Sequence, residues 1–207
     1  MLTNKVGIVD YDAGNLRSVV NAVRNAGGDP VISALPEVLS SCDRVILPGV
    51  GEASTAMGKL SERGLDTFIP TLTVPVLGIC IGLQLMCISS DEGNAQCMGI
   101  FPSVVKRITD LPSEPSEETM KIPHMGWNSL SFPNEGRLFK GIGPNPYVYF
   151  VHSYYLEAAD RSTVTATTDY NVTIDASIEC KNLFACQFHP EKSGSVGLAI
   201  LENFIRL

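Results

Sequence analysis

The sequence lacks any hydrophobic segment long enough to cross a membrane as a helix. Its longest apolar runs, such as residues 74–80, fall far short of the roughly 20 residues that a membrane helix needs. The amino-terminal residues contain neither an apolar segment of signal-peptide length nor a cleavage site of small residues. We therefore expect a cytoplasmic protein that does not bind a membrane.

Basic residues are also scarce. The 15 Lys and Arg residues are outnumbered by 22 Asp and Glu residues, which gives a net charge of −7. A surface that follows nucleic-acid phosphates needs an excess of positive charge. The charge balance therefore argues against nucleic acid as a partner.

Patterns for metals, disulfides and phosphate groups are missing as well. The three histidines have no metal-like spacing, and the six cysteines form no C-x-x-C pair. The glycine-containing turn at residues 47–51 fits neither the dinucleotide fingerprint nor the phosphate-binding loop. We expect no metal, no cofactor and, in a reducing compartment, free thiols.

What the sequence does have is the composition of a protein with one buried core. Of its 207 residues, 44% are hydrophobic. A chain of this length can bury roughly 70% of the surface that its unfolded form exposes. We expect a single domain over residues 1–207.

The first half alternates short apolar runs with segments of helical period, which is typical of β-α-β units that build a parallel sheet. The predicted strands are 5–10, 29–33, 43–47 and 74–80. Asn15 is predicted to cap a helix that ends at Gly27, and further helices are predicted at 36–40, 52–63 and 81–88.

The second half is richer in proline, glycine and aromatic residues. Strands are predicted at 147–156, 162–168 and 183–188, followed by a helix at 195–207. The acidic, proline-containing stretch at 110–118 is predicted to be a solvated segment without a function. Together the patterns predict an α/β fold: an open, mostly parallel central sheet flanked by helices, with antiparallel strands in the second half.

Cys80 lies at the centre of a G-x-C-x-G pattern, at the predicted corner between a strand and a helix. This pattern has the form of a nucleophile elbow, in which a strained turn requires very small neighbours. The thiol would then lie near a helix N-terminus, which favours the thiolate. The bare pattern also fits a buried core cysteine, but the position at a strand–helix junction favours a nucleophile.

A thiolate nucleophile needs an acid–base partner, and the best candidate is His189. His189 ends an alternating strand in which it shares a face with Gln187, and Glu191 can turn back to hold one ring nitrogen. The alternative is a capped strand end with a solvated glutamate. His124 and His152 are predicted to be structural.

The turn at residues 48–51 follows a predicted buried strand and contains two glycines. A flexible peptide at this position can direct a backbone N–H group toward a neighbouring reaction centre. The turn is therefore a candidate oxyanion hole.

With these motifs the chain resembles the class I, or triad, glutamine amidotransferases, through GICIGLQ at 78–84 and QFHPE at 187–191. It is more similar still to one branch of that family, the glutaminase subunits of imidazole glycerol phosphate synthase. That similarity rests on DYDAGNL at 10–16, LPGVG at 47–51, KIPHMGWN at 121–128 and HSY at 152–154. The resemblance implies a flavodoxin-like sheet.

The resemblance implies that L-glutamine is hydrolysed to glutamate and ammonia through a thioester on Cys80, with His189 moving the proton and Glu191 orienting His189. It implies an oxyanion hole formed by the backbone N–H groups of Val50 and Ile81. The glutamine-binding residues that it implies are Gly51, Gln84, Glu92, Ser153 and Tyr154.

The same resemblance implies a partner, a (β/α)₈-barrel cyclase subunit that forms a heterodimer with the glutaminase and uses its ammonia in histidine biosynthesis. The implied interface residues are Asn15, Pro123, Met125 and Trp127. From the residues alone, a core position is the simpler interpretation of Trp127. A further hypothesis is that the peptide between Gly49 and Val50 must turn its N–H toward Cys80 when the cyclase binds its ligand.

Three other functions remain open. A glutaminase of the same class could feed the synthesis of pyridoxal phosphate, anthranilate or purine nucleotides, although the blocks at 48–51 and 123–128 argue against it. A cysteine hydrolase or peptidase could use the same elbow, although Gln84 and the pair of His189 and Glu191 argue against it. A regulatory subunit without activity would keep Cys80 buried and unreactive.

Overall fold

The computed structural model describes residues 4–12, 16–108 and 120–207. Asn15, predicted as a helix cap and a partner contact, and the stretch at 110–118 lie outside the described residues. The helices are α1 (Arg17–Asn25), α2 (Pro36–Ser40), α3 (Ala53–Glu62), α4 (Leu65–Phe68), α5 (Ile81–Leu85) and α6 (Gly194–Ile205). The strands are β1 (Lys5–Val9), β2 (Asp29–Ser33), β3 (Arg44–Leu47), β4 (Val76–Ile79), β5 (Ser89–Ser90), β6 (Ala95–Gln96), β7 (Val104–Arg107), β8 (His124–Ser129), β9 (Tyr147–His152), β10 (Tyr154–Glu157), β11 (Val164–Tyr170), β12 (Val172–Cys180) and β13 (Leu183–Cys186).

The central sheet has the strand order β11-β12-β13-β4-β3-β1-β2. The neighbours from β2 to β13 pair in parallel, whereas β12 and β11 are antiparallel to their neighbours. A second sheet has the order β10-β7-β5-β6, and β8 pairs only with β9 in a separate ribbon. This architecture confirms the predicted α/β class with its mostly parallel sheet, and the order β2-β1-β3-β4 is of the flavodoxin type.

The central strands are apolar because both faces of the sheet are covered. All four residues of β4 are buried. On one side, α1 packs through Val19, Val20 and Val23, which lie at helical spacing. The long carboxy-terminal helix α6 buries Ile200, Leu201, Phe204 and Ile205 in the same core.

The register of three adjacent parallel strands brings three chain segments to one end of the sheet. Leu47 in β3 is aligned with Gly78 in β4, and Ile79 in β4 is aligned with Cys186 in β13. The segments that follow these strands are 48–51, the corner at Cys80 and 187–191. In open α/β sheets, ligands bind beyond the carboxyl ends of the strands.

The helix predicted at 81–88 is shorter than predicted and ends at Leu85. The carbonyl groups of Leu85, Met86, Cys87 and Ile88 accept hydrogen bonds from backbone N–H groups of residues 97–101. Tertiary pairing with this later segment therefore replaces the helical hydrogen bonds that would continue α5.

The predicted strand at 147–156 is in fact two strands separated by Ser153, because β9 pairs with β8 and β10 pairs with β7. The strand predicted at 183–188 ends at Cys186. Strands β7, β8 and β12 were not predicted, and β8 contains glycine and asparagine, which are poor strand formers.

Within the three described ranges, no helix combines the length and the apolar character needed to traverse a bilayer.

Candidate active site

Cys80 occupies a strained corner between β4 and α5. Its backbone has φ 54° and ψ −108°, a conformation that residues other than glycine rarely adopt and that costs about 1–3 kcal/mol. A Cβ atom at Gly82 would lie 1.9 Å from the carbonyl oxygen of Leu47, and one at Gly78 would lie 2.8 Å from the backbone of Gly82. The glycines on either side of Cys80 are therefore what allows strand and helix to pass this closely.

His189 and Glu191 form a buried ion pair beside this corner. Nδ1 of His189 and Oε1 of Glu191 are 2.7 Å apart, and the two side chains are 2% and 5% exposed. Because a carboxylate only accepts, the neutral ring carries its proton on Nδ1, and Nε2 is left as the acceptor. No group among the described residues forms a hydrogen bond with Nε2.

The charge state of His189 follows from its two neighbours. Burial alone lowers the pKa of His189, but its interactions with Cys80 and Glu191 outweigh burial and raise the pKa to about 9. The imidazolium is thus favoured next to the cysteine sulfur. A cationic ring in this place can hold the proton that a thiol gives up.

The backbone of His189 is fixed by Ser193 and β9. The N–H group of His189 donates to the carbonyl of Tyr149 over 2.9 Å. The hydroxyl of Ser193 donates to the carbonyl of His189 over 2.6 Å and accepts from the N–H of Tyr149 over 3.0 Å. Sequence reasoning missed Ser193, whose only signal is its spacing of four residues from His189.

The turn at residues 48–51 packs against the start of α5. The Tyr11 hydroxyl donates to the carbonyl of Pro48 over 2.8 Å from a fully buried position. A Cβ atom at Gly49 would lie 2.6 Å from that hydroxyl and 2.8 Å from the Cβ of Ile81. Only glycine fits between Tyr11 and α5, so Tyr11 supports the turn, a role that sequence reasoning did not assign.

A cavity of about 340 Å³ opens at this corner, a size typical of small-molecule sites. It is lined by Cys80 and His189 together with every residue predicted for the oxyanion hole and for glutamine binding, while Glu191 lies behind His189. The full lining is Val50, Gly51, Cys80, Ile81, Gln84, Glu92, Pro123, Val151, His152, Ser153, Tyr154 and His189. The structure therefore brings these predicted residues together.

Glu92 supplies a carboxylate to the cavity. Its Oε2 accepts a hydrogen bond from the backbone N–H of Ala53, at the start of α3, over 2.9 Å. Burial raises the pKa of Glu92, and the bond from Ala53 opposes that rise. A partly buried carboxylate of this kind can bind a substrate ammonium group.

Gln84 joins the cavity to the nucleophile through a second glutamine. Its Nε2 donates to the carbonyl of Tyr154 over 3.2 Å and to Oε1 of Gln187 over 3.1 Å. Nε2 of Gln187 in turn donates to Sγ of Cys80 over 3.6 Å. Sequence reasoning placed Gln187 on the face of His189 but assigned it no role.

His124 and His152 form a buried, neutral pair, of which His152 lines the cavity. Nδ1 of His124 lies 3.0 Å from Nε2 of His152, whose Nδ1 lies 2.8 Å from the carbonyl of Tyr154. Because a carbonyl only accepts, this chain fixes both tautomers. Burial lowers the pKa of His124 to about 3 and that of His152 to about 4.

An exposed apolar patch lies on the ribbon of β8 and β9. Met125 is 62% exposed, Trp127 is 55% exposed and Tyr147 is 59% exposed. Pro123, which precedes β8, also lines the cavity. The core position that the residues alone favoured for Trp127 is wrong, because Trp127 and Met125 lie on the outer face of the ribbon, opposite the buried face that carries His124.

Across the described residues, no group of three or more His, Cys, Asp or Glu side chains could hold a metal ion. A larger groove of about 780 Å³ lies beside Arg137 and Glu179. These two side chains are paired with each other there, and no cysteine or histidine lines the groove. The chemistry therefore places the candidate active site at Cys80.

Known proteins resemble this chain in sequence and in fold. The sequence model of the family described as Glutamine amidotransferase class-I matches residues 8–207. Imidazole glycerol phosphate synthase subunit HisH of Bacteroides fragilis strain YCH46 is 48% identical, with 98% of this chain and 100% of the relative covered. The subunit of the same name from Thermosynechococcus vestitus is 46% identical, with 98% and 96% covered. A solved structure of a glutamine amidotransferase shares the fold at 18% identity, with a TM-score of 0.71 and with 96% of this chain and 98% of that chain covered.

Proposed function

Since the chain belongs to the class-I glutamine amidotransferase family and to the HisH branch within it, we propose that it is the glutaminase subunit of an imidazole glycerol phosphate synthase in histidine biosynthesis. It hydrolyses L-glutamine to glutamate and ammonia. The main support for this proposal is that Cys80 and His189 line one cavity of suitable size and that Glu191 is hydrogen-bonded to His189.

Binding of glutamine uses the polar groups that line the cavity. The α-ammonium group pairs with the Glu92 carboxylate. The backbone carbonyls of Ser153 and Tyr154 already accept hydrogen bonds from Ile108, Gln84 and His152. A carboxylate accepts hydrogen bonds, so the backbone N–H groups of these two residues bind the α-carboxylate, while Gly51 lines the cavity beside the turn.

In the first step, the proton of the Cys80 thiol moves to Nε2 of His189, and the sulfur attacks the side-chain carbonyl carbon of glutamine. The carbonyl oxygen becomes an oxyanion, which the N–H groups of Val50 and Ile81 stabilise. His189 then donates its proton to the leaving nitrogen, the C–N bond breaks, and ammonia departs from a thioester. Loss of one oxyanion donor typically costs about 2.7–4 kcal/mol.

In the second step, water attacks the thioester while Nε2 of His189 accepts a water proton. The C–S bond breaks, glutamate leaves, and His189 returns the proton to the Cys80 thiolate. Throughout both steps the Glu191 carboxylate holds Nδ1–H and stabilises the imidazolium.

The ammonia is delivered to a cyclase subunit, which binds as the partner in a cytoplasmic heterodimer. Ammonia released into water would be protonated and would lose its nucleophilicity, so a sealed route between the two subunits is needed. Pro123, Met125 and Trp127 contribute an exposed apolar surface beside the cavity for this contact. Asn15 is proposed as a further contact from the sequence alone.

The test is glutamate release from glutamine by the purified chain, alone and with its cyclase subunit plus the nucleotide ligand of the cyclase. Stimulation by the ligated cyclase, abolished in Cys80→Ala, is the expected result. Activity without stimulation would assign the chain to a different synthase. Absence of activity under every condition would refute the glutaminase proposal.

A further inference from the structure

The sheet register places Gln187 directly beside the nucleophile. Cys186 is aligned with Ile79, and the N–H of Cys80 donates to the carbonyl of Cys186 over 2.8 Å. The residues that follow each strand, Gln187 and Cys80, are therefore neighbours. The N–H of Gln187 is itself held by the carbonyl of Ala176 in β12 over 2.9 Å, so its backbone is fixed on both sides.

The hydrogen-bond chain also determines which end of each amide faces which group. The carbonyl of Tyr154 only accepts, so the atom of Gln84 that faces it is the nitrogen. The same nitrogen donates a hydrogen bond to Gln187, so the atom of Gln187 that accepts this bond is the oxygen. The remaining atom of Gln187, the Nε2 donor, is directed at Sγ of Cys80 over 3.6 Å.

Apart from the His189 imidazolium, the groups near the sulfur are poorly suited to stabilise a thiolate before glutamine binds. The carbonyl of Val151, 3.9 Å from Sγ, can accept from a thiol but would repel its anion. The helix that begins after Cys80 has only five residues, so its dipole is small. The titratable groups that interact with the sulfur are His189, Tyr11 and Cys186, with Glu191 behind His189. Glu92, His152 and Tyr154 line the same cavity.

Building on the glutaminase proposed above, we infer that Gln187 is a positioning residue that holds the Cys80 sulfur and stabilises its thiolate by an N–H···S hydrogen bond, in an orientation set by Gln84. Gln187 is fully buried and does not line the cavity. It therefore acts on the sulfur and not on glutamine. The thiolate is both the attacking group and the leaving group of the two steps, so Gln187 contributes to each of them.

Two substitutions separate this role from packing. Gln187→Leu removes the donor and leaves an apolar side chain of similar size. Gln187→Glu keeps the shape and an oxygen for Gln84, but it replaces the N–H that faces the sulfur with a carboxylate oxygen. Ser177→Ala is the matched control, because Ser177 is also fully buried and pairs with Cys186 across β12 and β13. Within the described residues, its hydroxyl bonds to Thr165 and Ala185 and not to Cys80.

The decisive readout is the rate of Cys80 alkylation by iodoacetamide as a function of pH, followed by mass spectrometry of the Cys80 peptide in the full chain. Hydrogen bonds to charged groups are strong enough that we expect the midpoint to move up by about one pH unit in Gln187→Leu. A larger upward shift is expected in Gln187→Glu, and none in Ser177→Ala. If the leucine variant does not fold, the isosteric glutamate variant gives the same comparison.

Glutamine kinetics supply the second readout. In Gln187→Leu, kcat is expected to fall about tenfold while KM changes less than about threefold, because Gln187 does not contact the cavity. If the pH dependence of Cys80 alkylation in both Gln187 variants were the same as in the wild type, the proposed role of Gln187 would be refuted, even if glutaminase activity fell. Alkylation is measured without glutamine, so this failure is distinct from an absence of glutaminase activity.

Discussion

Replacing Glu191 by glutamine removes the negative charge beside His189 while keeping the shape of the side chain. The pKa of His189 lies at about 9 instead of 6.5 because Cys80 and Glu191 outweigh burial. That rise corresponds to roughly 3 kcal/mol of imidazolium stabilisation. Glu191 supplies part of that stabilisation, so the loss of its charge predicts at least about a tenfold loss of kcat.

A second effect acts in the same direction. The amide of a glutamine at this position can donate to Nδ1, which would move the proton of the neutral ring to Nε2. The ring could then no longer accept the thiol proton, and in serine proteases the equivalent loss reaches about 10⁴-fold. We therefore expect Glu191→Gln to lower kcat between about tenfold and about 10⁴-fold.

The assay is the pH dependence of kcat for glutamate release by the chain in complex with its cyclase. The alkaline limb reports loss of the imidazolium, so the lower pKa of His189 in the variant should move that limb to lower pH. Glu202→Gln is the matched control, since Glu202 pairs with Arg206 on α6, away from the active site. A loss of kcat below about threefold with an unmoved alkaline limb would refute the orienting role of Glu191.

Three further perturbations follow from the geometry. Gly82→Ala would put a Cβ atom 1.9 Å from a backbone carbonyl oxygen of β3, and we expect it to lower the free energy of unfolding in urea by about 3 kcal/mol. In contrast, Gly58→Ala, whose Cβ meets nothing within 4 Å inside α3, should be neutral or stabilising. Tyr11→Phe removes the hydroxyl that holds the turn at residues 48–51. We expect kcat to fall about tenfold while the rate of Cys80 alkylation stays unchanged. If the alkylation rate fell as much as kcat, Tyr11 would not act through the turn alone. The pKa of His124 is depressed in the folded chain, so its contribution to stability is present above about pH 6.5 and is lost as the pH falls. Between about pH 7.5 and 5.5 the wild type should therefore lose about 1.4 kcal/mol more than His124→Gln in urea titrations, and equal losses would show that His124 is not buried neutral.

The sequence allowed the nucleophile and its partners to be located because their signals are local. Cys80 is flanked by glycines that the corner requires, and Glu191 is close enough in sequence to His189 to reach its ring. The corner at Cys80 and the segment 187–191 each follow a strongly apolar strand, β4 and β13. Hydrophobic periodicity predicts the positions of these strands to within a few residues.

What sequence reasoning missed depends on pairing between distant segments. The contact of Gln187 with the Cys80 sulfur follows only from the register of β13 on β4. The early end of α5 results from hydrogen bonds to residues 97–101. The exposure of Trp127 results from its position on the outer face of the ribbon of β8 and β9, whose other face is buried. None of these partners can be identified from propensity or spacing along one segment.

The buried polar atoms that lack a hydrogen bond are concentrated at the active site. Among the described residues, the side-chain atoms of this kind are Oε1 of Gln84, Nε2 of His189 and Oε2 of Glu191. Leaving such an atom unpaired typically costs about 1–3 kcal/mol, so a fold retains it only where something else compensates. In the proposed mechanism Nε2 of His189 gains the thiol proton of Cys80, and we expect Oε1 of Gln84 to accept an N–H group of bound glutamine. Gln84 also orients Gln187 through its Nε2. A substrate bound to Oε1 of Gln84 would therefore restrain the Gln187 amide that faces the Cys80 sulfur. Substrate binding and positioning of the nucleophile would then both depend on Gln84.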